Sequence, residues 1–399
     1  MNPVSVEAAG ALLLIASLVA LVAKRLKLPY TVGLVIVGFV LAASGVAEGI
    51  QLTKELVFRA LLPPLIFEAA FFLPFAEIRR NLKPILVLAS VGVLLSAFVI
   101  GAVMSVAAGW PFAVALVFGA LIAATDPVAV IAMFKEQGIH GRLRILVEAE
   151  SLVNDGVAAV LFSVATLVAM GTQLSVGDAF VILCREAFGG VLAGASVSLV
   201  GLFLAGRTDD HLVELSFTAI IAYGSFLLAD HFHASGVLAV LTAGLIVGNT
   251  GHIGAITDHG RQTVSAFWEF GAFLSNSVIF LLIGTHEFSL INSLIAERKT
   301  VFLAVTVSLA ARAMSSYGLS AVFRKSKDRI ERSHQHVLFW GGLKGALSLA
   351  LVLGLPETFP YKRQLIAAAF GVVAFSIVVQ GVTMPKLLRQ TSSNPDSQE

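Results

Sequence analysis

Two short acidic motifs sit where the chain otherwise offers only hydrocarbon-like side chains: Ala124-Thr125-Asp126-Pro127 and Glu150-Ser151-Leu152-Val153-Asn154-Asp155. Lipid solvates a carboxylate so poorly that one inside a membrane segment is expected to face a watery cavity, where it can take a proton or a cation. Ser151 and Asp155 are four residues apart and Ser151 and Asn154 three apart, so a hydroxyl, an amide and a carboxylate share one helix face. Hard monovalent cations want oxygen ligands, and Asp126, Asp155, Ser151 and a Thr125 carbonyl freed by a helix break can supply them. A buried carboxyl holds its proton firmly while a nearby cation displaces it, so proton and metal ion compete for one place. The chemistry on offer is exchange of a monovalent cation for protons.

Such a site needs elements that break at the right depth. Pro127 removes a backbone donor and pushes Asp126 away from helical angles, so the segment is interrupted and Asp126 can cap a new half-helix at its positive end. Gly341-Gly342-Leu343-Lys344-Gly345 clusters three glycines around one cation, which predicts a second unwound crossing with Lys344 offsetting the negative carbonyl ends. Paired interrupted segments in corresponding halves are a pointer to a transporter site. Glu150 precedes Ser151 and lies on another face, suited to a buried cation such as Arg312, and Glu68, after Pro63-Pro64, can reach the cavity through water. His231 and His233 resemble a metal clip but have no cysteine partners, and solvation in an external loop suits them better.

Composition sets the class. With 57% hydrophobic and 13% charged residues and a mean hydropathy of +0.90, most of the chain belongs in a bilayer: an all-α, multi-pass integral membrane protein with no room for a soluble domain. The net charge of +2, its cations concentrated in short loops, gives nucleic-acid binding no support. The single cysteine, Cys184, excludes an internal disulfide and reads as a buried structural thiol. No phosphate-binding or dinucleotide fingerprint accompanies a strand, so neither a nucleotide nor another cofactor is expected, and the protein is not an enzyme.

Apolar periodicity and loop signals predict thirteen membrane helices, near 6–23, 30–49, 55–74, 84–108, 112–134, 143–170, 177–205, 212–229, 234–249, 263–285, 299–323, 335–355 and 363–385. The first follows Glu7 with no basic residue ahead of it and reads as a retained helix rather than a signal peptide. A single transmembrane domain is expected over 1–390, followed by a short polar cytoplasmic tail over 391–399. Loops after odd-numbered helices carry 18 basic residues, Lys27 among them, against 6 on the other face, Lys54 among them. The positive-inside rule then puts the amino terminus outside and the carboxyl terminus in the cytoplasm. Three cations remain within apolar segments: Arg185, read as snorkelling or linked to Glu186, Arg312 and Lys344.

Residues 32–42 echo residues 238–248, pairing the second helix with the ninth. An offset of seven helices reverses orientation, so six-helix units near 6–170 and 212–385 around a linking helix at 177–205 would form an inverted repeat. The same offset pairs the interrupted fifth helix with the interrupted twelfth.

Phe67-Glu68-Ala69-Ala70, Thr125-Asp126-Pro127-Val128-Ala129-Val130, Glu150 to Gly156 and Phe339-Trp340-Gly341-Gly342-Leu343-Lys344-Gly345-Ala346 together resemble, over nearly the whole chain, the NhaP branch of sodium/proton antiporters, related to eukaryotic NHE exchangers. The resemblance implies an NhaA-like inverted-repeat fold of thirteen helices, a homodimer, and a mobile transport unit containing crossed helices 5 and 12. It also implies that Asp126, Asp155, Ser151 and the Thr125 carbonyl are ligands of Na+ (or Li+ or K+), that Glu68 contributes through water, and that Glu150 and Arg312 form a structural ion pair. The family's electroneutral members carry Asn-Asp where electrogenic relatives carry two aspartates, and Asn154-Asp155 implies one cation per proton. Lys344 departs from the family's usual arginine. The tail after Gln390 lacks a long regulatory region, so regulation through such a domain is not expected. A cell (inner) membrane and a part in pH homeostasis are implied by the same likeness.

Two rival readings remain on the residues. An intramembrane aspartyl protease also buries two aspartates, but resembles a Gly-x-Gly-Asp pattern where this chain has Val153-Asn154-Asp155. A passive cation channel would give current without proton counterflow.

Overall fold

The computed structural model describes residues 6–26, 29–45, 55–250 and 256–392. Lys27, Lys54, the end of the helix expected over 30–49 and the tail from 393 onward lie outside the described residues. The described residues contain helices and no strand. In chain order these are α1 (Val6–Leu26), α2 (Tyr30–Ala43), α3 (Leu62–Phe71) and α4 (Phe75–Arg80), then α5 (Leu82–Ala108). Next come α6 (Phe112–Ala123), α7 (Val128–Gln137), α8 (Arg142–Ala169), α9 (Val176–Ala205), α10 (His211–His231), α11 (Gly236–Asn249) and α12 (Asp258–Ala296). The chain closes with α13 (Arg298–Val322), α14 (Arg332–Trp340) and α15 (Ala346–Leu353), and α16 (Lys362–Gln390).

Among the described residues, eight helical segments are long and apolar enough to cross a membrane, with the interrupted Phe112–Lys135 counted as one, and shorter apolar helices accompany them. Leu14, Val106, Phe188 and Phe203 stand exposed on the outer surface, where lipid rather than water suits them. Inside, association rests on close backbone approach between small residues, since lipid removes the usual hydrophobic drive between helices. Gly38 on α2 meets the Leu281 carbonyl of α12, and Gly284 on α12 meets the Val35 carbonyl of α2, so a Cβ at either would collide with backbone.

Local sequence explains the departures from straight helix. Pro63 and Pro64 cannot donate at the start of α3, and the turn ahead of it, Leu56–Leu61, widens into a π-helix. Tyr223 Oη then donates to the Ala60 carbonyl at 3.1 Å. Several boundaries differ from expectation: α12 starts at Asp258 rather than 263, and α16 runs past 385 to Gln390. α12 runs unbroken to Ala296, beyond the end expected at 285, and the short α4 occupies a stretch read as loop. Cys184 is half-buried rather than buried, with part of its helix facing outward.

Candidate functional site

The chain around Asp126 is built by its break. α6 ends at Ala123, residues 124–127 run without helical bonding, and α7 begins at Val128 with Pro127 at the capping position. Asp126 precedes that position by one residue, and its Oδ1 accepts the Val128 N–H at 3.0 Å. In the facing segment α14 ends at Trp340 and α15 restarts at Ala346. Asp126 N–H donates to the Leu343 carbonyl at 2.7 Å, tying one unwound strand to the other. The Asp126 carboxylate also accepts the Ala346 N–H. It therefore sits at the positive starts of both α7 and α15, where a negative charge is stabilised. Gly345 is required at this contact, because a Cβ there would fall on the Asp126 carboxylate.

Lys344 supplies the opposite charge. Its Nζ donates to the Ala124 carbonyl at 3.0 Å and reaches the Ala123 carbonyl at 3.5 Å. Those are the orphaned acceptors at the end of α6. The Lys344 N–H donates to Ser376 Oγ at 2.8 Å, and Ser348 Oγ donates to the Leu121 carbonyl at 2.7 Å.

Helix α8 passes beside the break and presents four polar residues to it. Ser151 Oγ lies 2.7 Å from Thr125 Oγ1 and donates to the Thr125 carbonyl, also at 2.7 Å. That carbonyl is therefore already occupied by a hydroxyl in this arrangement. Asn154 Nδ2 donates to Thr125 Oγ1 at 3.3 Å and to Glu150 Oε1 at 3.4 Å. Arg312 grips Glu150 with both guanidinium ends, Nη1 to Oε1 at 2.7 Å and Nη2 to Oε2 at 3.0 Å. Its Nε and Nη2 also donate to the Leu338 carbonyl at 3.1 and 2.9 Å.

Asp155 is held less completely than Glu150. Its carboxylate accepts the Thr125 N–H, but Oδ1 is buried without a hydrogen-bond partner. Asp155 and Asp126 line one cavity of about 50 Å³, closed by Leu62, Ile66 and Leu152. A void of that size holds a few water molecules or a partly hydrated ion.

Two carboxylates on one small cavity, inside crossed breaks whose ends carry compensating charges, are a transporter's arrangement, and residues 12–390 match the sodium/hydrogen exchanger transmembrane family. The chain belongs to that family. It is 39% identical over 366 residues to the Na+/H+ antiporter ApNhaP of Aphanothece halophytica, covering 91% of this chain and 70% of that protein. It is 34% identical over 396 residues to the Na+/H+ antiporter NhaH of Halobacillus aidingensis, covering 95% and 96%. The solved sodium proton antiporter MjNhaP1 of Methanocaldococcus jannaschii superposes with a TM-score of 0.77, at 19% identity and over 97% and 98% of the two chains, a likeness of fold. The exchanger is thus a multi-pass membrane transporter and not an enzyme.

Not every sequence-derived candidate gathers at the exchanger's cavity. Glu68 and Ser151 are both absent from the cavity lining; Glu68 lies within the electrostatic reach of Lys135, Glu148, Glu269 and Arg144. Glu148, which sequence reasoning passed over, is buried and pairs with Arg144 at 3.3 Å. The four-residue spacing of Arg144 and Glu148 on a helix was the available signal. Among the described residues no group of three or more His, Cys, Asp and Glu side chains is placed to hold a metal ion, His231 and His233 included.

Proposed function

We propose that the protein is a secondary active transporter that exchanges Na+, or Li+ or K+, for H+ one for one, with proton and cation occupying Asp126 and Asp155 by turns. The observation that carries this reading is the buried, unpartnered Oδ1 of Asp155 on the wall of the small cavity. A buried carboxylate oxygen without a donor costs free energy until a proton or cation satisfies it. Thr125 lines the same cavity, and Ser151 supports it from behind through the Thr125 hydroxyl and carbonyl. Pro127 makes the break, Lys344 balances the carbonyl ends, and Glu150 with Arg312 braces α8 against α13. Glu68 acts from a distance, through water and through the charges around it. No resident cofactor is needed, because the metal ion is the cargo.

The proposed architecture is thirteen transmembrane helices in two inverted repeats, near 6–170 and 212–385, joined by the linking helix near 177–205. Three pairs of contacts support it. Gly38 of α2 meets a backbone carbonyl of α12, and its counterpart in the echo, Gly244 of α11, meets the Phe67 carbonyl of α3. α5 and α13 each contain a π-turn, Val87–Val91 and Met314–Gly318, and Gly92 of the first packs on Ser315 of the second. The breaks after α6 and after α14 face each other across Asp126 and Leu343. The reading further includes a homodimer in a cell (inner) membrane, with the amino terminus outside and the carboxyl terminus in the cytoplasm, serving pH and sodium homeostasis.

The test is reconstitution into vesicles carrying a pH dye, with pulses of NaCl, LiCl or KCl. Cation-dependent proton movement is expected, with an apparent KM for the cation that rises with proton concentration at constant maximal rate. Cation uptake without proton movement, or a KM indifferent to pH, overturns shared occupancy. A channel would show the first of these.

A further inference from the structure

A second, larger cavity of about 420 Å³ opens among α8, α9, α10, α11 and the end of α15. It follows the same elements as the Asp126/Asp155 cavity, one turn further along each. The small cavity is lined by Leu62, Asp155 and Ser348, and the large one by Phe58, Ala159 and Leu351. Two carboxylates line the large cavity, Asp230 and Glu186. Asp230 is engaged with Arg59 at 3.3 Å, at an exposed position.

Glu186 is held differently. It lies ten residues into α9, about 15 Å from that helix's start at 1.5 Å per residue. Ser163 Oγ donates to its Oε1 at 2.9 Å, and its backbone carbonyl accepts the Ser235 N–H at 3.0 Å. Among the described residues Oε2 accepts no hydrogen bond, and Glu186 forms no ion pair with the exposed Arg185. Ser163 stands eight residues beyond Asp155 on α8, about 12 Å along the axis. A carboxylate this deep in a membrane segment, fixed by one hydroxyl and open on one oxygen, is oriented toward the cavity's contents.

We propose that Glu186 is a staging site for a partly hydrated monovalent cation in an antechamber on the outer side of the transport site. This inference rests on the antiporter reading and on the orientation given above. The cation pauses on Glu186 Oε2, with Thr166 and Ser163 nearby, and passes down α8 to Asp155. The carboxylate raises the local cation concentration in a cavity whose walls are largely apolar, where a single charge is weakly screened. It acts on loading from one face of the membrane only.

The experiment compares right-side-out and everted membrane vesicles containing wild type, Glu186→Gln and Ser163→Ala. Expected for Glu186→Gln is an approximately fivefold rise in KM for Na+ presented at the outer face, about 1 kcal/mol, with KM at the cytoplasmic face and maximal rate unchanged. Ser163→Ala keeps the charge and should stay within about twofold of wild type. Unchanged maximal rate and cytoplasmic-face KM in Glu186→Gln serve as the check that the variant is folded. Equal KM values for Glu186→Gln and wild type at the outer face, or equal rises at both faces, would each overturn the staging role. Absence of exchange by wild type in both vesicle types overturns the antiporter reading instead.

Discussion

Glu150 and Asp155 leave the same helix five residues apart, yet only one of them is satisfied. Glu150 has both oxygens on Arg312, whose other donors rest on the Leu338 carbonyl. Asp155 keeps a buried oxygen with no donor, facing a cavity. A buried charge with every partner in place joins helices together. One left short is held in readiness for something that arrives, and its cost of burial becomes affinity for that arrival.

The largest effect should come from the unsatisfied member. Asp155→Asn removes the charge that a proton or cation neutralises and changes the side-chain volume little. Exchange is expected to fall to the background of empty vesicles, while the melting temperature in detergent stays within a few degrees of wild type. Exchange at the wild-type rate would remove Asp155 from the mechanism.

Glu150→Gln should do the converse. It leaves Arg312 buried without a counter-charge, and breaking such a pair from one side costs about 3–5 kcal/mol. The expected readout is a melting temperature clearly below that of Asp155→Asn, with residual exchange by the protein that remains folded. If Glu150→Gln melts like wild type while Asp155→Asn is the unstable one, the two carboxylates have been given each other's roles.

What the sequence disclosed follows from which forces are local. The break at Asp126-Pro127 and the glycine cluster at 341–345 were readable because proline's missing donor and glycine's missing Cβ act on their own residues. The shared face of Ser151, Asn154 and Asp155 was readable from helical spacing. Contacts between distant segments were not. Nothing in the spacing says that Ser151 would take the Thr125 carbonyl, or that Lys344 would end on Ala123 and Ala124. Glu68 shows the limit plainly: its depth in the membrane was legible, but that Leu65 and Ala69 rather than Glu68 line the cavity depends on how α3 is rotated. The expected end of α12 at 285 follows from the length of an apolar span, whereas the helix itself continues through polar residues to Ala296.

Asn154 stands between the two carboxylates and sharpens the contrast at a smaller scale. Its Nδ2 bridges Thr125 Oγ1 and Glu150 Oε1, and its Oδ1 has no partner. Asn154→Asp would replace that donor with a second negative charge beside Asp155. Transport by this variant is expected to become sensitive to imposed voltage, each net charge moved through 100 mV being worth about 2.3 kcal/mol, whereas wild type stays insensitive. The check is the exchange rate in vesicles clamped with potassium and valinomycin at two potentials. Voltage-insensitive exchange by Asn154→Asp would show that the count of carboxylates does not set the charge carried.

The smallest effect is expected at Lys344, the cation that faces the carbonyl ends rather than either carboxylate. Its ammonium satisfies the Ala124 and Ala123 carbonyls, a role that needs positive charge and a donor but not lysine in particular. Arginine meets both needs and keeps its proton at any attainable pH, whereas a buried lysine can give its proton up. Lys344→Arg should therefore leave exchange at neutral pH within about threefold of wild type and the melting temperature within a few degrees of it. A melting temperature or exchange rate far below wild type would mean that the crossing depends on lysine's own shape against the Ala123 and Ala124 carbonyls, and not on a positive charge and a donor alone.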